Sequence, residues 1–292
     1  MKNLALRSIT GLLVVSAFIA AIVWSPYTFL AMFSILTFGV LYEFYTLVNA
    51  SKEVHISRPL HAMAGVLLFV CTFLFCSYQT DHKIYLIYMG YIMAMFIGLL
   101  YSKQENPLRQ LAYVIIGQIY IAAPIAFLNA VAFHTIRYGQ ETIDDYCPIF
   151  LLALFFFIWI YDTGAYLTGI TFGRHKLFPR ISPKKSWEGV WGGIIFSMAL
   201  GLGLSYSWVW HLIGFDLHDG MRLSKLEWTL MAVIVSIFST FGDLIESFVK
   251  RSVGVKDSGS ILPGHGGLWD RFDSLLMATP ALIIYLYIIT MW

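Results

Sequence analysis

Apolar residues fill this chain in long solid blocks joined by short polar links. Uninterrupted runs of about 18 or more apolar residues read as membrane-crossing helices, whereas a membrane barrel would show alternating segments of about ten. The pattern predicts nine spans, roughly 4–24, 27–49, 60–78, 84–101, 111–134, 148–169, 189–213, 228–249 and 274–292. Each is long enough to cross ~30 Å of hydrocarbon as a helix. The expected fold class is an all-α polytopic membrane protein, one integral membrane domain over 1–292, with N-terminal helices in 1–147 and a catalytic half in 148–292. Lys2 and Arg7 ahead of the first apolar run also suit a secretory signal peptide. Only Trp24-Ser25-Pro26 separates that run from the next, however, so a first membrane anchor is the better reading.

The polar links are asymmetric. Of the 19 Lys and Arg, fifteen fall in alternate links: Lys2 and Arg7; Lys52 and Arg58; Lys103 and Arg109; Arg174, Lys176, Arg180, Lys184 and Lys185; Lys250, Arg251, Lys256 and Arg271. The other side holds Lys83, Arg137, Arg222 and Lys225. Basic links stay in the cytoplasm, so the N-terminus is expected there and the C-terminus on the opposite side. That rule accounts for the first three basic links. It does not account for the last two, whose nine cations are interleaved with Asp257, Asp270, Asp273, glycines and prolines.

Composition sharpens the contrast. The chain is 59% hydrophobic and 12% charged, against about 25% charged residues in soluble domains. Its mean hydropathy is +0.73. A dense polar island in such a chain needs a functional reason. Cys71, Cys76 and Cys147 give neither an even disulfide set nor metal-ligand spacing and read as buried apolar residues. The eight histidines form no HExxH pair, and P-loop, GxGxxG and internal repeats are absent from the sequence.

The first polar constellation runs from Tyr161 to Gly189, YDTGAYLTGITFGRHKLFPRISPKKSWEG. Asp162 follows the apolar run LLALFFFIWI. An unpaired carboxylate there would cost about 2.5–3.5 kcal/mol on insertion scales, so a partner is expected. Gly169 and Gly173 loosen the helix, Ser182-Pro183 predicts a turn, and Ser186 is placed to cap the next helix. The cations here suit either a loop wrapping a polyphosphate or a stop-transfer cluster that pairs with Asp162. Gly189, Gly192, Gly193, Gly201 and Gly203 are expected at helix contacts.

The second constellation, SFVKRSVGVKDSGSILPGHGGLWDRFD, spans Ser247–Asp273. Just upstream, helical spacing stacks Asp243, Ser247 and Lys250 on one face, with Glu246 one turn before Lys250 as its ion-pair partner. The helix is expected to break after Gly254. The PGHGG turn that follows leaves backbone N–H groups open to phosphate oxygens. Asp270, Asp273 and Ser274 are expected to share the first turn of the last helix. A helix dipole would favour carboxylates there, yet a metal site explains more of the surrounding charge. The hard oxygen ligands Asp243, Asp270 and Asp273 suit Mg²⁺, with Lys and Arg neutralising phosphate charge, which is the equipment of phosphoryl or nucleotidyl transfer. With no large extramembrane domain to bind a soluble acceptor, the second substrate is expected to be a lipid.

At these residues the sequence resembles the phosphatidate cytidylyltransferase (CDP-diacylglycerol synthase) family. That family's signature is matched at every specified position from Ser247 through Asp273. The segments DTGAY at 162–166, FGRHK at 172–176 and SPKKSWEG at 182–189 are also similar, with Ser186 in place of the expected Thr. Arg7–Gly11 and Tyr42-Glu43-Phe44 are weaker matches. The resemblance implies that phosphatidate and CTP give CDP-diacylglycerol and pyrophosphate, with Mg²⁺ and a second cation as cofactors. It implies catalytic roles for Asp243, Ser247, Lys250, Arg251, Lys256, Asp257, Asp270, Arg271 and Asp273. Lys250, Arg251, Lys256 and Arg271 would grip phosphates, while Asp257 and Asp273 would support the metal or orient a cation. Asp162, Lys184, Lys185, Ser186, His265, Gly266 and Gly267 fall to substrate binding, Lys184-Lys185 on the CTP triphosphate; His265 reads as a phosphate or ribose contact or as a structural turn residue. A homodimer without nucleic acid is expected, in a bacterial inner membrane with its site facing the cytoplasm, since the chain shows no targeting extension. Alternatives are a CTP-dependent lipid kinase, a cytidylyltransferase for another lipid phosphate, and an ion-coupled transporter using Asp162 and Asp243. Charge gathered on one membrane face and the PGHGG turn argue against transport.

Overall fold

A computed structural model describes residues 15–50, 54–133, 136–138, 141–143, 146–212, 214–215, 223–255, 258–259 and 266–290, without side chains at 136–138, 141–143 and 290. Among them, seven stretches are long and apolar enough to span a membrane: Pro26–Ala50, Arg58–Cys76, His82–Leu100, Pro107–Ala132, Ile149–Phe172, Trp187–Leu204 and Lys225–Ser252. Two shorter apolar helices, Val15–Trp24 and Asp273–Ile289, coincide with parts of the first and last predicted spans. The α-helical polytopic architecture is therefore as the hydropathy pattern predicts. Most of the presumed first anchor, residues 1–14, lies outside the described residues.

The chain divides into two compact units, Met1–Ala130 with Ser252–Phe272, and Val131–Arg251 with Asp273–Trp292. The first contains α1 (Val15–Trp24), α2 (Pro26–Ala50), α3 (Arg58–Cys76), α4 (Tyr85–Leu100), α5 (Pro107–Ile116) and most of α6 (Ala123–Ala132). Its core is aromatic: Phe29 and Phe33 sit with ring centroids 4.7 Å apart, and both meet Phe69 of α3. Between α5 and α6 the helix widens into a π-helical turn, Gly117–Ala122. From that turn Gln118 donates to the Tyr45 hydroxyl at 3.1 Å and the His61 carbonyl at 2.8 Å, and accepts from the Tyr88 hydroxyl at 3.0 Å. One amide thus ties three helices where no water competes, as buried polar groups require. Nothing on α4 is buried, so its apolar surface faces outward.

The second unit is built on α7 (Ile149–Phe172), α8 (Trp187–Leu204), α10 (Lys225–Ser252) and α11 (Asp273–Thr290). Glycine lets α7 and α8 pack closely. A Cβ on Gly189 would stand 2.9 Å from the Ala165 carbonyl oxygen, and one on Gly193 would stand 2.6 Å from the Tyr161 ring. Gly201 makes the same kind of approach to α10, whereas a Cβ on Gly203, expected among them, would meet nothing within 4 Å among the described residues. The predicted span 189–213 is not one helix. The α8 helix ends at Leu204, and a short α9 (Ser207–Leu212) follows. The Trp210 indole N–H donates to the Leu204 carbonyl at 2.7 Å, satisfying a group that the ending helix leaves open.

Between α7 and α8 lies a hairpin rather than an open loop, β3 (Lys176–Phe178) against β4 (Ser182–Ser186). An earlier pair, β1 (Ile136–Tyr138) and β2 (Glu141–Ile143), forms a second antiparallel hairpin. Ser182-Pro183, predicted as a turn, belongs to β4, and the turn falls before it, where the Ile181 N–H reaches the Phe178 carbonyl. A two-stranded ribbon has only edge strands, which tolerate the missing proline N–H.

Candidate active site

Ser186 ends β4 and caps α8 as expected, its hydroxyl accepting from the Gly189 N–H at 3.2 Å. This junction fixes the preceding residue, Lys185, whose ammonium lies 2.6 Å from Asp243 Oδ2. On α10, Ser247 donates to Asp243 Oδ1 at 3.3 Å, which fulfils the predicted stacking one turn apart. Lys250 turns to Glu246 instead, at 2.6 Å. That pair is buried, with side-chain exposures of 11% and 1%.

Asp273 begins α11, and α10 can approach it closely because of Gly242. A Cβ there would stand 2.5 Å from the Asp273 carbonyl oxygen. The consequence is a cluster: Asp243, Glu246 and Asp273 each offer a carboxylate oxygen, and these three oxygens all lie within 4.8 Å of one another. Asp162 and Lys185 are within electrostatic range of Asp273. Asp162 itself is exposed and, among the described residues, has no hydrogen bond or ion pair, so the lysine or arginine partner expected for it is not found. Its helix turns it toward the acidic cluster and Lys185 instead.

Three carboxylates this close repel one another unless cations lie among them. Two lysines already do, one on Asp243 and one on Glu246. The oxygen-only donor set and its spacing fit a hard divalent ion, whose ligands stand about 2.0–2.6 Å from it. Asp243 and Asp273 belong to the predicted metal set, whereas Glu246 had been read only as the lysine's partner. Its place one helical turn from Asp243 was the available signal.

Asp270 lies in the first unit. It sits in a 3-10 turn, Trp269–Arg271, and not in the first turn of α11 as predicted. Its carboxylate accepts from the Ser258 N–H at 3.2 and 3.3 Å and from the Gly267 N–H at 2.9 Å. The Gly267 N–H, expected to be open to phosphate, is thus already engaged. Gly266 has φ +84, a conformation glycine adopts without steric cost. The predicted break after α10 is also present, with Gly254 at φ +75. Arg251, Arg271 and Lys184 are exposed. Lys256, Asp257 and His265 lie outside the described residues.

One residue of the first unit, present in the sequence only within a weak family match, carries no expected role. Glu43 of α2 is buried, and its Oε2 accepts from the Trp269 N–H at 2.9 Å and from the Ser258 hydroxyl at 3.2 Å. An acid inside an apolar span was the signal.

The sequence model of the cytidylyltransferase family matches residues 5–289. The chain belongs to this family. Among its relatives, a protein named phosphatidate cytidylyltransferase from Staphylococcus epidermidis is 36% identical over 200 residues, 68% of each chain. One of the same name from Staphylococcus haemolyticus is 36% identical over 201 residues, 69% of this chain and 68% of the relative. The Staphylococcus aureus protein of that name is 45% identical over 139 residues, 47% of this chain and 48% of its own. The match runs nearly end to end and so includes the residues Asp243, Glu246 and Asp273 as well as Glu43, Ser258 and Asp270.

Proposed function

We propose that this protein transfers the cytidylyl group of CTP to phosphatidate, giving CDP-diacylglycerol and pyrophosphate for phospholipid synthesis. The observation that carries the reading is the carboxylate cluster Asp243, Glu246 and Asp273, with Lys185 on Asp243, in a chain of the cytidylyltransferase family. A phosphatidate oxygen forms the new bond to the α-phosphorus of CTP, and the bond from that phosphorus to the bridging oxygen of the β-phosphate breaks. The attacking phosphate oxygen carries no proton at neutral pH, so no protein base or nucleophile is required. Mg²⁺, held by Asp243 and Asp273 with Glu246, supplies charge neutralisation and in-line orientation when bound.

The side chains do the rest. Lys185 stands beside the cluster, where a triphosphate oxygen can exchange for Asp243 as its partner, and Lys184 is exposed next to it. Asp243 orients the Ser247 hydroxyl, and Lys250 is held in place by Glu246. Arg251 and Arg271 remain the candidates for phosphate contacts, together with Lys256, and Asp270 keeps the metal-associated role that the signature implies. Ser186, Gly266, Gly267 and His265 are assigned to the substrate side, and Asp257 to support of the metal. Nine spans, an N-terminus and active face in the cytoplasm, a bacterial inner membrane, a homodimer and a second cation complete the proposal. The relatives' names favour this reading over a lipid kinase.

Purified protein in detergent, given phosphatidate, CTP labelled at the α-phosphorus and Mg²⁺, is expected to yield a labelled CDP-lipid on thin-layer separation, and EDTA to abolish it. Folded protein that leaves the label in CTP across a range of phosphatidate would overturn the assignment. Transfer of label from the γ-phosphorus to a lipid alcohol would replace it with a kinase.

A further inference from the structure

Two acids of the first unit share one serine. Ser258 donates its backbone N–H to Asp270 and its hydroxyl to Glu43. Glu43 holds a second point on the same segment, the Trp269 N–H, next to Asp270. The following residue of α2, Phe44, meets the Trp269 ring edge to face with centroids 5.3 Å apart, and Trp269 is fully buried. Space is reserved for the carboxylate. A Cβ on Gly259 would stand 2.6 Å from Glu43 Oε1, and one on Gly267 would stand 2.8 Å from Oε2. Glu43 thus leaves no room for a side chain at Gly259, and at Gly267 it does so together with Ser258, which stands nearer still.

An acid within a span is costly to insert and is retained where it has a task. Glu43 is 3% exposed and on a helix, where a group is placed more precisely than on a loop. The mechanism proposed above gives it no part. We infer that Glu43 is a positioning residue for the reaction: through Trp269 it holds the backbone just before Asp270, and through Ser258 the N–H that Asp270 accepts, and so fixes that carboxylate. The inference rests on the proposed cytidylyl transfer for its kinetic consequence, but the contacts can be tested without turnover.

Glu43→Ala, Glu43→Gln and Ser258→Ala, in full-length detergent-purified protein, are to be compared with the native chain by hydrogen exchange and by steady-state kinetics. Glu43→Ala is expected to speed exchange of the Gly267 and Trp269 amides about 10-fold or more while α3 and α7 peptides keep native rates. With CTP, phosphatidate and Mg²⁺, the expected result is a kcat about 30-fold lower and a Mg²⁺ concentration for half-maximal rate about 5-fold higher, with KM for phosphatidate within about 3-fold. Glu43→Gln retains an acceptor for the Trp269 N–H and is expected to recover part of both effects. Ser258→Ala keeps its N–H on Asp270 and is expected to show the smaller kinetic loss.

Unchanged exchange at 267–269 would overturn the inference, as would local loosening with kcat and Mg²⁺ dependence within about 2-fold of native. Exchange accelerated throughout the chain, with activity falling in proportion to the folded fraction, would reduce Glu43 to a structural role. A native protein that makes no CDP-lipid would overturn the functional assignment instead, and the exchange arm would then decide the positioning contact by itself.

Discussion

Asp243 has both carboxylate oxygens engaged, one by Lys185 and the other by Ser247, with Glu246 and Asp273 close by. Removing its charge while keeping its shape should leave the helix intact and lower turnover. Asp243→Asn and Asp270→Asn are each expected to fold normally and to lose about 100-fold or more in rate at saturating Mg²⁺, measured as initial rates of CDP-lipid formation. Near-native turnover by either would remove that aspartate from the site. Spacing on a helix made the Asp243–Ser247 contact and the Glu246–Lys250 pair legible in the sequence, because an α-helix fixes which side chains meet one turn apart. Lys185 on Asp243 and Glu43 on Trp269 were not legible. Those contacts join residues 58 and 226 positions apart, and such distances are set by packing alone.

Among the elements, α7 and α8 depend on glycine for their closeness. Gly193→Val would drive a branched side chain into the Tyr161 ring and is expected to destabilise the protein by about 1–3 kcal/mol, read as a lower midpoint of thermal unfolding in detergent. Gly203→Ala, on the same helix with open space around it, should leave that midpoint unchanged or slightly raise it. A run of apolar residues announced both helices. It did not announce the end of α8 at Leu204, because hydropathy does not register a serine turn followed by tryptophan. The hairpin of β3 and β4 was hidden for a related reason, since its basic, proline-containing strands carry no alternating pattern.

For the whole molecule, the asymmetry of Lys and Arg is the observation that bears on orientation. In a background with Cys71, Cys76 and Cys147 replaced, Asp81→Cys in intact cells is expected to react with a membrane-impermeant maleimide, and Glu105→Cys only after the cells are opened. The reverse result would invert the topology and move the proposed site to the other face. The membrane class followed from composition, because nothing else accommodates so little charge over such a length. The division into two units did not, because residues 252–272 leave the unit that their flanking helices belong to. Contiguous sequence gives no sign of such an excursion.

The widened turn at Gly117–Ala122 gives its span slack in length. A π-helical turn inside an α-helix holds one residue more than the regular ladder needs, and it confines that surplus so the flanking turns keep their phase. The span can therefore give a residue back. Deleting Ile119, which is exposed, should let the ladder close as ordinary α-helix, with folded yield close to native. Deleting the buried Leu151 from α7 would swing everything beyond it by about 100° and is expected to abolish folded protein. Among the described spans, this is the one in which a one-codon loss should be survivable, and homologues one residue shorter are to be sought there.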